Sequence, residues 1–120
     1  MIRILIADDF ESWRAEVRRL LRKRSDWQIV GEVSDGLLAI QKVVELRPDL
    51  ILLDLAMPNL DGLQACGRIL NSFPRANVIF LSQNTNSEVV SAALATGAKG
   101  YVLKANAFTE LIPAIERCFT

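Results

Sequence analysis

Three aspartates, a serine and a lysine stand where apolar runs end. Asp8 and Asp9 follow Ile2–Ala7, Asp54 follows Leu50–Leu53, Ser82 follows Val78–Leu81 and Lys104 follows Tyr101–Leu103. Each run is short, continuous and rich in Ile, Val and Leu, the pattern of a buried strand. Polar residues at the carboxyl ends of parallel strands converge at one sheet edge, where open α/β folds place their ligands. The spacing therefore predicts three carboxylates, one hydroxyl and one ammonium at a single site. Crowded carboxylates stay ionised only if a cation joins them; otherwise one takes up a proton. Oxygen-only ligands around an open site suit Mg²⁺, which keeps several waters and accepts phosphate as an additional ligand. A carboxylate there can attack an electrophilic phosphorus while the metal and the lysine neutralise charge on the transferring group. The product would be an acyl phosphate that water can later hydrolyse, and Ser82 could donate a hydrogen bond to a phosphoryl oxygen.

Strands and helices must alternate to bring these residues together. The predicted strands are Ile2–Ala7, Trp27–Val33, Leu50–Asp54, Val78–Leu81 and Gly100–Lys104. Trp27, Ile29, Gly31 and Val33 alternate with polar residues, which suits an edge strand. Helices are predicted over Glu11–Lys23, Gly36–Leu46, Gly62–Asn71, Ser87–Thr96 and Ala107–Phe119. Trp13, Val17, Leu20 and Leu21 form a helical stripe in the first, and Phe108, Leu111, Ile112, Ile115 and Phe119 share one face of the last. Pro113 conflicts locally with that last helix, so a late start or a bend is expected. Five βα units without repeats imply an α/β fold, a flavodoxin-like doubly wound five-stranded parallel sheet of order 2-1-3-4-5 with five helices. In that order the first and third strands are neighbours, and Asp8, Asp9 and Asp54 lie side by side.

At 120 residues the chain is long enough for one domain with its own core. Acids and bases balance at 14 each, so no global field draws it to nucleic acid or lipid. It has no histidine, so any phosphohistidine would come from a partner. Cys66 and Cys118 fall on apolar helical faces and read as buried, reduced thiols. No stretch approaches the roughly 18 apolar residues of a membrane span, and no signal peptide is evident, which points to a cytoplasmic protein.

Asp8-Asp9, Asp54 within Leu53-Asp-Leu-Ala-Met-Pro-Asn-Leu-Asp-Gly62, Ser82 after a strand and Gly100-Tyr-Val-Leu-Lys104 occur in order at the right strand ends. Together they resemble the receiver domain of two-component response regulators, over essentially the whole of residues 1–120. The resemblance implies that Asp54 is the phosphoacceptor. It implies that Asp9, Asp54 and the Ala56 backbone carbonyl bind Mg²⁺ directly, that Asp8 acts through water and that Lys104 pairs with the phosphoryl group. Ser82 and Tyr101 look like a switch pair, in which the hydroxyl moves to the phosphate and the ring turns inward. That event would bias the surface of the fourth helix, fifth strand and fifth helix. The implied partners are a sensor histidine kinase or histidine phosphotransfer protein, with a homodimer as a further expectation. Many receivers carry proline after the lysine; Ala105 here resembles the LuxR/FixJ-type subgroup, whose DNA-binding effector domain these residues do not include. Ala56 and Asn84 occupy positions that influence dephosphorylation in the family.

Other readings remain open at this point. The Arg14, Arg18, Arg19, Arg22, Lys23 and Arg24 run is either a solvated face or a docking surface for an acidic or helical partner; without interleaved aromatics it does not read as a nucleic-acid site. A receiver fold kept as a phosphorylation-independent interaction module is the alternative function. A haloacid-dehalogenase-type phosphatase would need a second acid at Ala56. A nucleotide-binding flavodoxin-like protein would need glycine where Asp8-Asp-Phe-Glu11 stands.

Overall fold

The computed structural model describes residues 1–120. Strands β1 (Ile2–Ala7), β2 (Trp27–Val33), β3 (Leu50–Leu53), β4 (Asn77–Ser82) and β5 (Gly100–Leu103) alternate with helices α1 (Glu11–Leu21), α2 (Gly36–Leu46), α3 (Gly62–Ser72), α4 (Ser87–Ala95) and α5 (Ala107–Cys118). All strand pairs are parallel, in the order β2-β1-β3-β4-β5. This is the doubly wound fold and strand order expected from the sequence.

Alternation along the central strands builds two cores. Ile4 and Ile6 of β1 join Leu50, Leu52, Ile79 and Leu81 on one face, covered by Val17, Leu20 and Leu21 of α1 and Leu111, Ala114 and Ile115 of α5. Leu5 and Ala7 join Ile51, Leu53, Val78 and Phe80 on the other, covered by Ala39, Val43, Ala65, Cys66, Ile69 and Ala93 of the three remaining helices. Every residue of β3 is at most 1 % exposed. At about 1.5–3 kcal/mol for each large side chain fully buried, this strand anchors the sheet. No helix is long and apolar enough to cross a membrane.

Element ends differ from expectation in informative ways. Helix α1 stops at Leu21 because Lys23 and Arg24 turn back onto the Leu20 and Leu21 carbonyls, closing the last turn three residues back. Lys104 is not the end of β5 but opens a 3-10 turn, Lys104–Asn106, that leads into α5. The late start expected from Pro113 is absent: α5 runs unbroken from Ala107 through it. Pro113 faces solvent, so water can satisfy the carbonyl that loses its partner. Phe108 and Phe119 are 77 % and 37 % exposed, so the buried face of α5 is narrower than its apolar pattern. Cys66 is buried and Cys118 half-buried, both as free thiols. Burial pushes both thiols above their ordinary pKa, opposite to the shift a reactive thiol needs.

Candidate functional site

Strand register explains how distant residues meet. Ala7 pairs with Leu53, and the Asp54 N–H donates to the Ala7 carbonyl (3.0 Å), which sets Asp8 beside Asp54 one step past the ladder. Ser82 pairs with Leu103, so Lys104 emerges one residue further on. Carboxylate oxygens of Asp8, Asp9 and Asp54 lie within 4.8 Å of one another. Asp8, Asp54, Ser82 and Lys104 are all at most 9 % exposed, whereas Asp9 is open to solvent. Asp9, Asp54, Ser82 and Lys104 border a cleft of about 370 Å³ that also takes in Ala56 and Asn84. A larger cleft of about 520 Å³ lies at the opposite sheet edge, near Arg47, Phe73 and Arg75, but brings no cluster of carboxylates together. Chemistry rather than volume selects the first.

Each group is held. The Asp8 carboxylate accepts the Phe10 N–H (2.9 Å) and pairs with Lys104 Nζ (2.7 Å). Asp54 accepts its neighbour's N–H from Leu55 (2.8 Å) and receives Lys104 at the looser distance of 3.4 Å. Three carboxylates against one ammonium leave two uncompensated negative charges. Burial pushes the Asp54 carboxyl up to about 6; the Asp8 charge adds to this and Lys104 opposes it. Oxygen donors with a charge deficit of two fit a divalent cation, and Mg²⁺ is the hard, oxygen-preferring choice.

The loop after Asp54 is fixed with little slack. A Cβ on Gly62 would overlap the Asp54 carbonyl oxygen, and one on Gly36 would overlap that of Leu60. The Gly62 N–H donates to Leu55 O (2.7 Å), so the chain doubles back at once and keeps Ala56 at the cleft. Asp35 caps α2 through the Leu38 N–H and also accepts the Asn59 side-chain amide (3.0 Å). Asn59 has φ +68°, in the left-handed region that Asn tolerates.

Ser82 and Tyr101 are joined through one residue. The Asn84 N–H donates to Ser82 Oγ (3.1 Å), and the Tyr101 hydroxyl donates to the Asn84 carbonyl (2.7 Å). Tyr101 is half-buried, its ring centroid 6.2 Å from that of Phe80.

Sequence reasoning missed four participants. Arg14 donates to the Asp8 carbonyl (2.5 Å) and ties the loop between β1 and α1 to Glu11 and Glu32. Asp35, two residues past β2, carried the same strand-end signal as the others. Phe10 and Trp13 place their rings beside Lys104, although Trp13 reads from its spacing as a core residue. The basic run of α1 is largely neutralised within the chain. Arg14 and Arg18 pair with Glu11 and Glu32, Arg19 with Glu16, and Arg24 with Asp26 and Glu116.

The profile of the Response regulator receiver domain family matches residues 4–116. The chain is 40 % identical over 111 residues to the uncharacterized transcriptional regulatory protein YhcZ of Bacillus subtilis, covering 92 % of this chain and 52 % of that protein. It is 37 % identical over 119 residues to the oxygen regulatory protein NreC of Staphylococcus epidermidis, covering 98 % and 55 %. It thus spans about half the length of these curated relatives. A LuxR-family two-component response regulator from Aurantimonas sp. SI85-9A1 superposes with a TM-score of 0.93 at 31 % identity, covering 98 % of this chain and 84 % of that one. The chain belongs to the receiver domains of two-component response regulators and is similar to their LuxR-type members.

Proposed function

We propose that residues 1–120 act as a phosphorylation-dependent switch that accepts a phosphoryl group on Asp54. The observation that carries this reading is the placement of Lys104 across Asp8 and Asp54, with the Asp9 carboxylate within reach and two negative charges left over. Asp9, Asp54 and the Ala56 carbonyl would hold Mg²⁺ directly, and Asp8 through water. The bound ion would keep Asp54 ionised and neutralise phosphoryl oxygens. An Asp54 oxygen attacks the phosphorus of a phosphohistidine on a sensor histidine kinase or phosphotransfer protein. The P–O bond forms, the P–N bond breaks and the imidazole leaves with a proton. Lys104 then turns to the new phosphoryl oxygens, and Ser82 donates to one of them. Losing Ser82 frees the Asn84 N–H, and Asn84 carries the Tyr101 hydroxyl on its carbonyl, so the pair can move together. That movement changes the α4–β5–α5 surface. The output is transcription through a DNA-binding domain outside these residues, in the cytoplasm.

The test is phosphotransfer from a radiolabelled histidine kinase. Label should pass to the chain as a base-labile acyl phosphate and fail to pass to Asp54→Ala. No transfer from several kinases or from acetyl phosphate would favour a phosphorylation-independent interaction module.

A further inference from the structure

Lys104 is flanked by two aromatic rings. Its Nζ lies 5.6 Å from the centre of the Phe10 ring and 5.3 Å from that of Trp13. Phe10 follows Asp9 directly, and Trp13 lies on the first turn of α1, so the segment that brings the carboxylates also brings the rings. The Trp13 Nε1–H is shut off from solvent and has no acceptor. A buried tryptophan usually finds one for its polar end, so what this indole offers the site is its face. Ring faces attract an ammonium without supplying a lone pair to a metal or a charge that repels phosphate.

In the structure Lys104 is held chiefly by Asp8, at 2.7 Å, and only loosely by Asp54, at 3.4 Å. A divalent cation drawn to the carboxylates competes for Asp8. The ammonium then needs an attraction that does not come from a carboxylate, or it swings out of the cleft. We infer that Trp13, with Phe10, is a positioning residue that keeps the Lys104 ammonium at Asp54 when Asp8 engages another cation. This rests on the phosphoacceptor reading above. Packing alone does not account for Phe10, which is 55 % exposed and contributes little to either core; Trp13 also packs against the core under α1 and α5, so its two roles must be separated by experiment.

Trp13→Leu keeps an apolar side chain on α1 and removes the π face; Trp13→Phe keeps a face. Initial rates of phosphate uptake from acetyl phosphate with Mg²⁺ should be compared for these variants, each with Lys104 and with Lys104→Met. Trp13→Leu should slow uptake about tenfold, the scale of a desolvated cation–π contact, and Trp13→Phe should recover most of it. Neither should alter the rate of Lys104→Met. An equal loss in the Lys104→Met background would make Trp13 a packing residue and overturn the inference. If the parent protein takes up no phosphate, the phosphoacceptor reading fails, and a second readout decides the positioning. The chain has two tryptophans, so in a Trp27→Phe background Trp13 is the sole indole. Its emission should shift on Lys104→Met at unchanged far-ultraviolet circular dichroism; identical emission would show that the ammonium does not sit on the ring.

Discussion

Two clusters of acids and bases lie on either side of the loop between β1 and α1, and they are built on opposite terms. Around Glu32, two arginines meet two glutamates: Arg14 and Arg18 each contact Glu32 and Glu11, with side chains 15–66 % exposed. Charges there balance, and water screens them. Around Lys104, side chains only 3–7 % exposed set one ammonium between Asp8 and Asp54, with Asp9 beside them. Charges there do not balance, and little water softens the deficit. Exposed pairs contribute little to stability, whereas a buried charge left without its partner is costly. The first cluster holds shape. Arg14 carries that order into the second by gripping the Asp8 carbonyl. The second is kept at a loss that a divalent cation can relieve.

If so, the two clusters should respond to mutation on different scales. Lys104→Met leaves two buried carboxylates uncompensated and should destabilise the fold by about 2–4 kcal/mol in urea, with Mg²⁺ restoring most of the loss. A loss unaffected by Mg²⁺ would mean that Lys104 matters for packing alone. Asp54→Asn should have the opposite sign. The Asp54 carboxyl is raised from 3.8 to about 6, so between those values the folded protein holds a proton that the unfolded chain has released. Stability therefore falls as pH rises through this window and levels off above it. The asparagine variant should lose that slope and be more stable at pH 7.5 without Mg²⁺, by roughly 3 kcal/mol. Denaturation midpoints from pH 4 to pH 8 would measure both. Arg18→Ala, in the exposed cluster, should move the midpoint least and lose even that small effect at high salt. A large, salt-resistant change would erase the contrast.

The sheet order and the five strand-end residues were legible because both follow from one strong signal, continuous apolar runs ending in a polar residue. Parallel register then does the rest, as Ala7 against Leu53 and Ser82 against Leu103 show. Less could be read where partners come from elsewhere in the chain. The basic run on α1 looked like an open surface because its acids, Glu32 on β2 and Glu116 on α5, are distant in sequence. Trp13 looked like a core residue and Phe10 carried no site signal, because a ring beside an ammonium leaves no spacing pattern. The α5 stripe overstated burial at Phe108, which is 77 % exposed and has the Lys23 ammonium over its ring, at 4.5 Å. Pro113 does not delay the start of α5, because at its exposed position water can satisfy the carbonyl that loses its partner.

The central claim is that the charge deficit beside Lys104 serves phosphate capture on Asp54. Intact mass after acetyl phosphate, with and without Mg²⁺, on the parent protein and Asp54→Ala tests it most directly. The account predicts one added phosphate on the parent protein with Mg²⁺ and none in the other three samples. An equal gain by Asp54→Ala, or one independent of Mg²⁺, would contradict it.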